Sequence, residues 1–315
     1  MTHRLRPAGI LLACAILCAC SESLPPVPPM EEPLTAADLP GTVETNGCKA
    51  MREVVEELHQ SAQAWHNPEA IRGLIESHAD QVPGWLDRLD AAARTESWEC
   101  GGELRWLALL PEAQDLSSAV ALVFENASEA SRRGDVETAS HRAATILLLA
   151  VRGSGGSILE ARSASRHVHA GLSVLGRLNV SEIAPATRAE LTEALGLLNS
   201  SEPFNCAVRL ASERDTTLEA LQNGWISRAD REQHPSFPAL TREQELNIVD
   251  AYRDAMDTII QAWTEPDGIE RISATSDGFE PTGFIWPYHE ILREMRALGM
   301  RMQSTQRRLD AVSGG

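Results

Sequence analysis

Between Cys48 and Trp65 the apolar residues Met51, Val55, Leu58, Ala62 and Trp65 recur at alternating spacings of four and three. That rhythm lays them on one stripe of an α-helix and leaves the other face to Glu, Arg and Gln. The same rhythm returns in Val249, Tyr252, Met256, Ile259 and Trp263, and again in Ile291, Met295, Leu298 and Met302. Between the first and second of these stripes the pattern predicts helices over 68–80, 83–95, 112–133, 135–152, 156–178, 184–199 and 203–223. The punctuation is Gly134-Asp135, Gly153-Ser154-Gly155-Gly156, Asn199-Ser200-Ser201 and Gly224, residue types that end helices or permit tight reversals. Short breaks between amphipathic helices predict an all-α body of stacked antiparallel helical hairpins, either an α-solenoid or an irregular bundle.

Composition agrees. Only 14 of the 315 residues are aromatic, β-branched runs are scarce, and Ala, Leu, Glu and Arg dominate, which argues against a β-sandwich. The 28 basic residues against 45 acidic ones leave a net charge of -17. Such a chain is a poor partner for nucleic acid.

The N-terminal segment departs from this pattern. Arg4 and Arg6 precede an apolar stretch from Ala8 to Ala19, and Cys20 follows. Twelve residues make a helix of about 18 Å, too short for a hydrocarbon core of about 30 Å, so the layout predicts a cleaved export signal over 1–19. Its removal takes two arginines and no acid, moving the charge from -17 to -19. Leu17-Cys18-Ala19-Cys20 resembles the lipobox of bacterial lipoproteins, with Cys18 standing where a small residue is usual. Leu11-Leu12-Ala13-Cys14 also matches, but cleavage there would leave about six apolar residues, too few for a signal core. The resemblance implies that Cys20 becomes the N-terminus and is lipidated. Each buried methylene contributes about 0.8 kcal/mol, so three acyl chains would anchor the protein durably. Ser21, where Asp would signal inner-membrane retention, implies the outer membrane, with the body in the periplasm. The other reading is an ordinary cleaved secretory signal with Cys20 incidental.

From residue 20 to about 45 the chain carries Pro25, Pro26, Pro28, Pro29, Pro33 and Pro40 among acidic residues. Neither helix nor central strand is compatible with that spacing. A disordered, polyproline-like tether of about 25 residues would reach up to about 75 Å. The expected organisation is therefore a signal peptide over 1–19, a lipidated linker over 20–45 and a helical body over 46–315, with a possible sub-boundary near 225–240. Within the body, Ala127–Ala150 reads as helix, Gly-Asp turn, helix. It loosely resembles tetratricopeptide-like repeats, although no strict 34-residue period is present.

Three cysteines remain after processing: Cys48, Cys100 and Cys206. Cys48 and Cys100 each adjoin an expected helix start and are the preferred disulfide, closing a loop of about 52 residues worth about 4 kcal/mol. Cys206, inside the apolar run Phe204–Leu210, is expected to be a small buried residue.

Candidate chemistry is sparse. Glu56 and His59 have the Glu-x-x-His spacing of di-iron bundles, but no second such pair is well placed. His167 and His169 point to different sides of a helix, and Glu137 with His141 suggests a surface ion pair. No His-Glu-x-x-His, Cys-x-x-Cys, Gly-x-Ser-x-Gly or phosphate loop occurs. No catalytic residue, metal site or cofactor is therefore assigned from sequence. Residues 265–289 gather Asp-Gly turns, prolines and the cluster Phe279, Phe284, Trp286, Tyr288 and His289. These rings either cover the end of the helical stack or form an exposed surface for a protein, peptide or glycan.

The sequence thus predicts a lipid-anchored envelope protein that acts as a non-catalytic binding or scaffold body for an envelope protein partner. The alternative is an envelope hydrolase or metal-dependent enzyme centred on Glu56 and His59 or near His289.

Overall fold

The computed structural model describes residues 46–61, 68–95, 97–98, 111–154, 157–222, 241–265, 267–270 and 288–313. They form an all-α protein, as the periodicity predicts. In chain order the helices are α1 (Gly47–Ser61), α2 (Pro68–Ser77), α3 (Val82–Arg94), α4 (Pro111–Arg132) and α5 (Val136–Arg152). They continue as α6 (Ile158–Arg177), α7 (Pro185–Leu198), α8 (Cys206–Gln222), α9 (Arg242–Thr264) and α10 (Tyr288–Ser313). The segments expected to be signal and tether, together with Cys20 and Cys100, lie outside the described residues.

By its internal contacts the chain divides into two compact units. One holds residues 33–210 together with 287–315. The other includes 211–286.

In the first unit α5 is the central helix. Every residue from Ala143 to Ala150 is buried, because α5 packs against α3, α4, α6 and α7. A helix apolar on all sides is stable only when enclosed in this way. Small residues permit the close approach: a Cβ on Gly171 of α6 would sit 3.1 Å from Leu147 of α5. The α4–α5 turn follows from Gly134, whose φ of 74° is the left-handed geometry glycine tolerates. Gly134 N donates to Ser131 O at 3.1 Å and Asp135 N to Ala130 O at 2.9 Å, the paired bonds of a Schellman ending. Asp135 then caps α5, accepting from Thr138 N at 3.1 Å. α6 opens on a capping box, with Ser157 and Glu160 each accepting from the other's backbone N–H.

α1 packs on α3 and α4 through Met51, Val55 and Leu58, and α10 packs on α6 and α7. The α10 stripe of Ile291, Met295, Leu298 and Met302 is fully buried. The chain thus returns to this unit after about 75 residues spent in the other.

Two local expectations are corrected. The helix expected from 203 begins at Cys206: Pro203–Asn205 form a 3₁₀ turn in which Phe204 has φ 58° and Asn205 φ 53°. Arg209 holds this turn, donating from Nε to Phe204 O at 2.6 Å and from NH1 to Ser154 O at 3.0 Å. Glu137 and His141 do not pair along the helix. Glu137 instead caps α7, accepting from Ala184 N at 3.3 Å and Thr187 Oγ1 at 2.8 Å, where a carboxylate meets the positive end of the helix dipole.

In the second unit, Thr241 and Gln244 form the capping box of α9. Val249, Tyr252, Met256, Ile259 and Trp263 are buried along its stripe. Arg214 NH1 lies 2.5 Å from Asp257 Oδ1.

Candidate functional site

Several polar clusters occur among the described residues of the first unit, and two bear on chemistry. The first lies where α3, α5 and α7 meet. Asp90 Oδ1 accepts from Arg94 NH1 and Thr145 Oγ1, each at 2.5 Å, and lies 3.1 Å from His141 Nε2. Arg94 Nε is 2.6 Å from Glu190 Oε1 on α7. Arg142 lies 3.8 Å from Asp90 and donates to Leu86 O at 3.2 Å. Burial alone would raise the Asp90 carboxyl. The Thr145 hydrogen bond and the charges of Arg94, His141 and Arg142 outweigh it, holding Asp90 below the ordinary carboxylate range.

This cluster contains Asp, His and a hydroxyl, the residue types of a nucleophilic triad, but not its connectivity. A nucleophile's hydroxyl must bond to the histidine. The fully buried Thr145 spends its proton on Asp90 instead. The cluster therefore reads as an inter-helix lock. The sequence contains the i, i+4 pairs Asp90/Arg94 and His141/Thr145, but no local signal joins them to Glu190, which is about 100 residues from Asp90.

The second feature is an open cavity of about 320 Å³ lined by Arg72, Phe124, Glu125, Ser128, Arg132 and Arg177. Phe124, Glu125, Ser128 and Arg132 recur on one face of α4, while Arg72 comes from α2 and Arg177 from the last turn of α6. Glu125 holds Arg72 by two bonds, accepting from Nε at 3.1 Å and NH2 at 3.4 Å. The Ser128 hydroxyl is buried and has no hydrogen-bond partner. No local sequence signal marks this cavity, because its three arginines are scattered over more than 100 residues and belong to no motif.

The other sequence candidates fall as follows. Glu56 and His59 are both exposed on α1, with His59 Nε2 3.5 Å from Ser118 Oγ. Among the described residues no three His, Cys, Asp or Glu side chains converge as a metal site. His167 Nε2 lies 3.3 Å from Ser117 Oγ, and its burial, with Arg166 nearby, pushes its pKa down to about 4. His169 faces Arg301, whose NH1 lies 2.7 Å from its Nδ1. Cys206 is fully buried, donates from Sγ to Pro203 O at 2.9 Å, and has its pKa pushed up by burial to about 12. A thiol in that state is no nucleophile. Cys48 is buried and disulfide-bonded.

Of the aromatic cluster, Phe279, Phe284 and Trp286 lie outside the described residues. Tyr288 is 2% exposed and opens α10. His289 beside it is half-buried. Among the described residues no helix is long and apolar enough to cross a membrane. No family model matches this chain, and neither the curated proteins nor the solved structures include a significant match.

Proposed function

We propose that this chain is an envelope lipoprotein, acylated at Cys20, whose helical body works by binding rather than by catalysis. The observation that carries the anchoring is Leu17-Cys18-Ala19-Cys20 behind a short basic and apolar segment. Ser21 favours the outer membrane, and the proline-rich stretch to residue 45 gives the body reach. Support for binding comes from how the first unit uses its ionisable groups. Among the described residues, the cluster with triad-like residue types commits its hydroxyl and carboxylates to locking α3, α5 and α7 together. Packed helices held this rigidly suit presentation of a surface or cleft to an envelope partner.

The test is metabolic labelling with an alkyne-tagged fatty acid, followed by membrane fractionation, for the parent and Cys20→Ala. Label and membrane association present in the parent and lost in Cys20→Ala support the anchor. A soluble, unlabelled parent would exclude it. Crosslinking in the envelope addresses the second half: one protein enriched with the parent supports an adaptor role, while turnover of a substrate by the purified protein overturns it.

A further inference from the structure

We infer that the cavity between α2, α4 and α6 is a binding site for a small organic anion, one that carries a carboxylate or phosphoryl group on an apolar or aromatic frame. This inference does not depend on lipidation of Cys20. The cavity, at about 320 Å³, falls within the range of small-molecule sites. Its lining holds three arginines and Glu125, and even with Glu129 paired to Arg132 the cleft keeps an excess positive charge, in a chain whose net charge is -17. A locally positive cleft on a strongly acidic protein concentrates anions where the rest of the surface repels them.

Each lining residue has a distinct part. Glu125, 8% exposed, fixes the position of the Arg72 guanidinium by two bonds. Arg132 is held by Glu129 at 2.5 Å. Arg177 is exposed and makes no ion pair among the described residues. Guanidinium forks match the paired oxygens of carboxylates and phosphates. Phe124 supplies the apolar wall.

Ser128 gives independent support. Several sheltered helical serines satisfy their hydroxyls on a carbonyl one turn back: Ser140 on Glu137 at 3.1 Å, Ser165 on Arg162 at 2.7 Å and Ser173 on Ala170 at 2.8 Å. Ser128, only 6% exposed, makes no such bond and has no other partner. A buried, unmatched donor costs stability, and an anionic oxygen seated in the cavity would supply its acceptor. The helix dipole accounts for cations at the ends of α4 and α6. It accounts neither for Arg72 converging on the same cleft nor for the orphaned hydroxyl.

The experiment is calorimetric titration of the full-length protein in detergent with phenyl phosphate, benzoate and uncharged benzyl alcohol, repeated with Arg177→Gln and Ser128→Ala. Inorganic phosphate alone separates recognition of the charged group from recognition of the frame. Expected is saturable binding of phenyl phosphate or benzoate that weakens with salt, and no binding of benzyl alcohol. Arg177→Gln should lose about tenfold in affinity, the scale of one charge-assisted bond, at an unchanged melting temperature. Ser128→Ala should melt higher yet bind more weakly. Failure of the parent to bind either anion at millimolar concentration overturns the site. So does equal binding of benzyl alcohol, or parental affinity in both variants.

Discussion

Arg94 Nε lies 2.6 Å from Glu190 Oε1, while its NH1 reaches Asp90 Oδ1, so one guanidinium ties the last turn of α3 to α7. Both carboxylates are largely sheltered, with side-chain exposures of 20% and 24%. Removing the cation deprives Glu190 of its closest partner and Asp90 of one of several, and in Arg94→Met the expected loss is about 2–3 kcal/mol. Urea unfolding measures it. The double change Arg94→Met with Glu190→Gln should recover part of that loss, and additivity of the two effects would show that the residues are uncoupled.

Stability should fall on the acid side in two steps. His167 is held down to about 4 by burial and Arg166, against about 6.5 in the unfolded chain. Between those values the unfolded state takes up the extra proton. The folded state therefore loses stability as pH falls from about 6.5 towards 4. Asp90, with its folded pKa depressed, contributes stability above about pH 3.9, the unfolded value. That contribution disappears as pH falls further. Melting temperature against pH should show the first slope flattened in His167→Gln and the second in Asp90→Asn. An unchanged upper slope in His167→Gln would place the acid sensitivity elsewhere.

Gly299 sets the approach of α10 to the turn after α7. A Cβ there would come within 2.6 Å of Ser200 O, a backbone atom that cannot rotate away. Gly299→Ala should cost about 1–3 kcal/mol despite the better helix propensity of alanine. Gly176→Ala, where a Cβ meets open space, should be neutral or slightly stabilising. Thermal melts of the two variants make the comparison.

Cys48 is in a disulfide, and we propose Cys100 as its partner. Peptide mass mapping without reductant should recover the two joined. Reduction, or Cys100→Ser, should lower stability by about 4 kcal/mol, the value for a loop of about 52 residues. Joined peptides containing any other cysteine would refute the pairing.

Much of the fold was legible because its signals are local. Helical stripes, the Gly134 turn and the Ser157 and Thr241 caps depend on residues within about four positions of one another. The start of α8 was misplaced because Pro203 and Phe204 look helix-compatible in sequence. The left-handed Phe204 is maintained by Arg209, which also grips Ser154 some 50 residues earlier. Pairing Glu137 with His141 failed for a similar reason: spacing along a helix says which residues are neighbours, not which distant groups compete for them. Glu137 found the backbone of α7, and His141 found Asp90.

By itself the sequence determined the all-α character and nearly every helix, since backbone hydrogen bonding and burial of one face are read over a few turns. It also supplied the lipobox-like Leu17–Cys20, from which the anchor is proposed. Tertiary structure alone decided that α5 is central, that α10 packs on α6 and α7, and which charges meet. It alone assembled Arg72, Ser128 and Arg177 around one cavity. Those relationships join residues 50 to 130 positions apart, and only the shared exclusion of water from packed helices brings them together.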